Sequence, residues 1–524
     1  MAEVILERLV QILENDAPIQ EQSLKEWNND LEKDLLSGEG SQFSSTSDES
    51  SEQLSTLNNA ASRLHESLIA AAYPGYVCKE DDTDEVTNAI QVDVSNQNLS
   101  SLSEILRAIG LFMRWHGQCL QSSLESGSAS SKNPTASLKS KDMLLLYCKL
   151  LDDATLQSSN DCPDIPRFAS VCIFRATYGN DNVTASARTS FVHSIDGCTY
   201  LMKALLKGDQ PVPRTFSVVR NVHHLISAAP ESIPKMEKIL ETLATDDCSG
   251  GEIESDNEDK KKYGLLEVLV ATLAWALRSD PPFPGNTADR RSDLALEILR
   301  SLFAMDAGKP SMPLPENDTL TQIGVMLCEI LCLSNADMRV YQCKLAVVAL
   351  LLNAPGEYSG YLASHGGIKP LVSIMSYQLS LVVVERTANS AEDAAAVVPI
   401  LLVLRKLCQS NATVLQMVKD EVFPPELEDS FAEKVAAEMA QMQSEGQSKA
   451  KNMAPLDAPK GTVRWKLIRL MTWIDSSVKR SACELLWTLC NEDATEFVLR
   501  TGFGNAVYFL GNKGVVNLPA GVNV

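Results

Sequence analysis

Thr501-Gly502-Phe503-Gly504-Asn505 is the one glycine phrase in these 524 residues from which a phosphate cradle could be built. A dinucleotide-binding turn needs a third glycine behind a strand, and a P-loop needs Lys-Ser/Thr after its last glycine. Neither is present, so the phrase reads as a turn between helices. His223 and His224 are adjacent on a helix and project in different directions, which suits neither a shared metal nor a proton relay. No G-x-S-x-G, H-E-x-x-H or kinase-like set occurs. The 13 cysteines are odd in number and lack a C-x-x-C. With no histidine pair near a cysteine pair, a zinc site has no support. Cys328, Cys332 and Cys343 sit in apolar helical text, where a thiol behaves as a small hydrophobe. The sequence thus predicts no catalytic residue, no metal and no cofactor. Ser45, Ser249 and Ser255 each have an acid three residues on (Asp48, Glu252, Glu258) and are candidate phosphorylation sites.

Lys and Arg number 46 against 68 Asp and Glu, a formal charge of −22. Such a chain is repelled by phosphate backbones, so nucleic acid is excluded and basic protein surfaces are favoured. The 45% hydrophobic content is ample for a core. Charges interrupt every apolar run before the roughly 20 residues of a membrane span, so no integral membrane segment is expected. The acidic, amphipathic opening is wrong for a secretory signal. The expectation is a cytoplasmic, reduced, monomeric protein.

The elements behind these residues are helices, since strand-like alternation is nearly absent. Val463, Leu467, Leu470, Met471 and Ile474 share one spacing, and Val478, Ala482, Leu485, Leu486 and Leu489 repeat it after a short turn. Two helices so joined lie antiparallel and share their apolar stripes, with Asp475 as N-cap of the second. Lys479 and Arg480 fall on its exposed flank. A glycine opening a helix recurs at Gly197, Gly367 and Gly504, at separations close to four and three periods of about 42–46 residues. Gly367-Ile368-Lys369-Pro370 resembles the start of the third helix of an armadillo repeat. The fold expected is all-α, an armadillo/HEAT-type superhelical solenoid running as a single array over 1–524. Polar insertions are expected near 38–53, 121–141, 245–262, 280–287 and 441–461.

The last quarter, best matched over 394–512, adds a series of phrases. Ala394 to Leu404 leads to Asp420-Glu421-Val422-Phe423-Pro424-Pro425, then Gly461-Thr462-Val463-Arg464-Trp465-Lys466-Leu467-Ile468-Arg469-Leu470-Met471-Thr472. Val478-Lys479-Arg480, Glu484-Leu485-Leu486-Trp487-Thr488-Leu489-Cys490 and Thr501-Gly502-Phe503-Gly504-Asn505-Ala506 follow. This order resembles the synembryn family, non-receptor exchange factors and folding chaperones of heterotrimeric G-protein α subunits. The resemblance implies a solenoid that takes hold of the C-terminal helix of GDP-bound or nascent Gα, loosens the nucleotide pocket and stabilises the empty state. It implies cytoplasmic residence, with recruitment to the cell cortex or plasma membrane through Gα.

Two departures bear on what carries over. The helix before Val-x-Pro-Pro is basic in familiar members, whereas Asn411 to Lys419 keeps only Lys419 positive. Animal members also continue past the terminal glycine phrase with an acidic phosphorylated linker and a further helix, so Gα binding and chaperoning are expected ahead of strong exchange. Candidate partner contacts are Arg405, Lys406, Lys419, Arg464, Lys466, Arg469 and Asn505, while Trp465 and Trp487 are expected in the core. The competing reading is an armadillo adaptor that binds peptide segments without affecting nucleotide exchange.

Overall fold

A computed structural model of the chain describes residues 21–37, 49–72, 99–124, 135–152, 164–207, 210–246, 264–278, 290–307, 317–334, 337–354, 358–384, 390–424 and 460–515, with 8, 9, 12, 283, 284 and 356 besides. Among these residues the protein is all-α, with no strand. The chain divides into two compact units, Met1–Met305 and Asp306–Val524.

In the first unit the helices are α1 (Glu21–Ser37), α2 (Glu49–Ala72), α3 (Leu99–Leu124), α4 (Lys141–Asp152), α5 (Ile165–Thr177), α6 (Asn182–Thr189), α7 (Gly197–Leu206), α8 (Val212–Ala228), α9 (Ser232–Asp246), α10 (Leu265–Arg278) and α11 (Arg291–Ala307). Most of them pack on helices close to them in sequence. The helix α5 is central to one such stack, lying against α3, α4 and α8. Its Ala169, Cys172, Ile173 and Ala176 are buried at helical spacing, which is why this segment forms the middle of a layer rather than an edge. Residues 121–124 of the polar stretch 121–141 belong to α3, and a 3₁₀ turn, Ser137–Lys139, precedes α4.

The second unit holds α12 (Asn317–Cys332), α13 (Met338–Asn353), α14 (Tyr358–Ser364), α15 (Ile368–Val383), α16 (Ser390–Ser410), α17 (Ala412–Val422), α18 (Val463–Leu470), α19 (Ser476–Leu489), α20 (Ala494–Thr501) and α21 (Phe503–Asn512). The hairpin expected from the sequence is α18 and α19. Val478, Ala482, Leu485, Leu486 and Leu489 are all fully buried, on the face that meets α16. Asp475 caps α19 by accepting from Ser477 N at 2.8 Å and Val478 N at 3.1 Å. Asn411 and Thr462 cap α17 and α18 in the same way. Each such cap contributes about 1 kcal/mol by satisfying an otherwise orphaned N–H. The apolar spacing does not hold to its end: α18 stops at Leu470 and Ile474 lies in the turn, 98% exposed.

Two of the three recurring glycines have a steric reason, whereas Gly504 is the second residue of α21 and a Cβ there would meet nothing within 4 Å. A Cβ on Gly197 would lie 2.4 Å from the Phe191 ring, and one on Gly367 would lie 2.8 Å from Leu362 Cδ2. Both glycines let a helix start against the side chain of the preceding turn.

Candidate functional site

Most of the basic residues singled out in the C-terminal helices are engaged within the second unit. Arg405 and Lys513 both pair with the buried Glu484, at 3.1 Å and 3.0 Å, so that one carboxylate joins α16, α19 and the end of α21. Lys406 donates to Leu352 O at 2.9 Å and to Ala354 O, closing the C-terminal end of α13. Lys419 pairs with Glu496 at 2.9 Å, and Arg500 with the same carboxylate at 3.1 Å. Arg464 donates to Arg500 O at 2.6 Å, and the guanidinium groups of Arg464 and Arg500 lie 5.6 and 4.2 Å from the Phe423 ring. Phe423 is thereby clamped between two guanidinium groups. Lys466, buried, donates to Ser380 Oγ at 2.7 Å, and Asn505 to Thr501 O at 2.8 Å. Arg469 is exposed and lies 5.5 Å from the Trp465 ring. Trp487 is buried among Phe497 and Phe509 as expected, whereas Trp465 is half-buried. Ser45, Ser249 and Ser255 lie outside the described residues.

A second constellation, in the first unit, was not visible as a motif. Arg114 on α3, Arg175 on α5 and Arg220 on α8 lie within electrostatic reach of one another, and Arg290, just before α11, is within reach of Arg220 while its guanidinium sits 4.4 Å over the Phe216 ring. The Arg220 guanidinium sits 4.3 Å from the centre of the Phe174 ring and that of Arg175 5.4 Å away. Tyr178 stacks on the same ring at 4.9 Å and is 55% exposed. Its turn is pinned from behind: Arg188 donates to Thr177 O at 3.1 Å and Gly179 O at 3.3 Å, and His224 Nε2 donates to Thr177 O at 2.8 Å.

Burial, and then the charges of Arg220 and Arg114, bring the Arg175 guanidinium down to about 10. Burial is also the main cause of the lowered value at Arg220, where Glu297 opposes it. Glu297 in turn accepts from His223 Nδ1 at 2.8 Å, and Arg175 Nε is buried with no hydrogen-bond partner. Two arginines lowered first by burial and then by neighbouring guanidinium charge, next to an exposed aromatic, are poised to accept an anion, because a carboxylate there would relieve the repulsion. The two histidines indeed diverge, one to Glu297 and one to Thr177. Among the described residues no group of three or more His, Cys, Asp or Glu could hold a metal ion. No helix among them is long and apolar enough to cross a membrane.

Comparison with known proteins bears on the C-terminal phrases. Residues 454–521 match the family model Ric8, described as guanine nucleotide exchange factor synembryn. The "Chaperone Ric-8A" of Macaca fascicularis is 26% identical over 269 residues, which are 49% of this chain and 46% of that protein. The chain thus spans a little under half the length of this relative. The "Chaperone Ric-8A" of Xenopus laevis is 47% identical over 55 residues, 10% of each chain. A solved engineered protein aligns over 97% of this chain and 94% of its own, at 14% identity and a TM-score of 0.42. The helices α18 to α21 therefore lie in the segment that matches the model of the guanine nucleotide exchange factor synembryn, and the likeness to the Macaca fascicularis relative extends over about half of the chain.

Proposed function

We propose that the chain is a guanine nucleotide exchange factor and folding chaperone for heterotrimeric G-protein α subunits, binding GDP-bound or nascent Gα and stabilising its nucleotide-free state. The observation that carries this reading is the match of 454–521 to the exchange-factor family. No covalent step is required. A factor of this kind lowers the barrier to GDP loss only by the amount to which it prefers the empty conformation over the loaded one.

The grip on the client is assigned to the arginine cluster of the first unit. The C-terminal end of a helix carries a partial negative charge, and a terminal carboxylate adds a full one. Arg114, Arg175 and Arg220 supply convergent donors for these groups, while Phe174 and Tyr178 offer apolar area for the side chains beside them. The paired residues of the second unit, Arg405, Lys406, Lys419, Arg464, Lys466 and Asn505, hold the C-terminal helices in place for contacts with the rest of Gα, and exposed Arg469 reaches outward. The protein acts as a monomer in the cytoplasm and reaches the cell cortex through Gα. Calorimetric titration of purified Gα into the protein tests the assignment. Arg220→Glu is expected to abolish or strongly weaken binding, whereas undiminished affinity in this variant would remove the cluster from the interface.

A further inference from the structure

The turn between α18 and α19 exposes an apolar side chain almost completely, Ile474 at 98%. Ile474 immediately precedes the N-cap Asp475, a position whose apolar residue ordinarily packs on the fourth residue of the helix. Here the fourth residue is Lys479, and its ammonium lies instead 4.3 Å over the Tyr508 ring. The isoleucine thus has no apolar partner at the place where one would sit.

Among the described residues, several cations lie close to it in sequence. Arg469 at the end of α18 is exposed, as is Arg480 on the first turns of α19, and Lys479 is half-buried beside the 41% exposed Tyr508. Trp473 flanks the isoleucine directly and is half-buried. The acid of the turn, Asp475, is occupied by Ser477 Oγ and two backbone N–H groups. The exposed acids Glu492 and Asp493 follow the far end of α19, about 20 Å away along the helix axis. A protruding isoleucine, flanking Trp and Tyr, and three cations is the composition of a side chain set seated at a lipid headgroup boundary.

We propose that the Trp473–Ile474 turn is a peripheral membrane contact, inserting Ile474 between the headgroups of an anionic lipid surface while Arg469, Lys479 and Arg480 meet the phosphates. The net charge of −22 does not oppose this, because charges beyond about 8–10 Å are screened at physiological salt and the described residues 469–480 carry three cations against one acid. A convex tip of this kind suits a yielding lipid surface better than a protein pocket, which would need a cavity shaped to a single side chain. One apolar side chain and three cations give weak, salt-sensitive attachment, so the contact acts as one of two anchors. The proposal stands independently of the Gα reading.

The test is co-sedimentation of the full chain with phosphatidylcholine vesicles, with and without about a third phosphatidylserine. Binding is expected only to the anionic vesicles and is lost on raising the salt. Ile474→Asp and Arg480→Glu are each expected to lower partitioning about tenfold. Both sites are exposed, and unchanged melting temperatures verify the fold. Failure to sediment with anionic vesicles overturns the proposal, as does binding that both variants retain. Sedimentation that requires added Gα and ignores Ile474→Asp would make the turn a protein contact and also overturn it.

Discussion

Arg220 lies with its guanidinium 4.3 Å from the Phe174 ring centre, so that a helix otherwise devoted to the core presents a cation on an aromatic platform. The two residues are 46 positions apart, on α8 and α5, and meet only because these helices pack side by side. Arg175 and Arg114 converge on the same place from α5 and α3. Charge reversal at Arg220 would place a carboxylate where an anionic client group is expected. Arg220→Glu should weaken Gα binding by about 2–3 kcal/mol, roughly 30- to 150-fold, with little change in the melting temperature. Titration calorimetry and thermal denaturation of the same samples check both halves of this statement.

Glu484 is the joint of the C-terminal helices, buried beneath Arg405 and Lys513. Removing it leaves two partly buried cations facing each other without a counter-charge. Glu484→Ala is expected to destabilise the protein by about 3–5 kcal/mol, read as a shift in the urea midpoint. A variant that unfolds at the native midpoint would show the bridge to be dispensable.

Gly197 opens α7 against the Phe191 ring, and Phe191 is fully buried. The 2.4 Å approach of an added Cβ leaves the ring no room to yield without moving its neighbours. Gly197→Ala should cost about 1–3 kcal/mol. The combined variant with Phe191→Leu should recover part of that loss, which a double-mutant denaturation cycle measures directly.

His116 is buried, and burial, with the nearby Lys139 charge adding to it, lowers its imidazole to about 4. Unfolding returns it to about 6.5. Between these values the unfolded chain binds a proton that the folded chain does not, so stability rises with pH. The contribution is complete above pH 6.5 and falls away as the pH drops towards 4, by on the order of 3 kcal/mol. His116→Gln should flatten this part of the stability profile, as followed by urea midpoints across the range. An unaltered slope in the variant would assign the acid sensitivity to other groups.

The helical architecture was legible because it rests on local periodicity. The α18–α19 hairpin, the Asp475 cap and the helix starts at Gly197 and Gly367 all follow from residues within one or two turns of each other. Ile474 shows where that logic stops. Its spacing continues the apolar stripe, but capping by Asp475 decides where the helix begins again, and the isoleucine is left outside. Sequence cannot show that Arg405 and Lys513 share Glu484, or that Arg464 and Lys406 close the ends of neighbouring helices. The arginine cluster was hidden for the same reason. Arg114, Arg175 and Arg220 lie on three largely apolar helices far apart in sequence, and only the stacking of α3, α5 and α8 brings them together.

The most direct measurement is the rate of GDP release from a purified Gα of the same organism, with and without an equimolar amount of this protein. The proposed function predicts faster release and a nucleotide-free complex that GTP dissolves, both lost in the Arg220→Glu variant. An unchanged release rate with no complex formed would contradict it and leave a helical-repeat adaptor in its place.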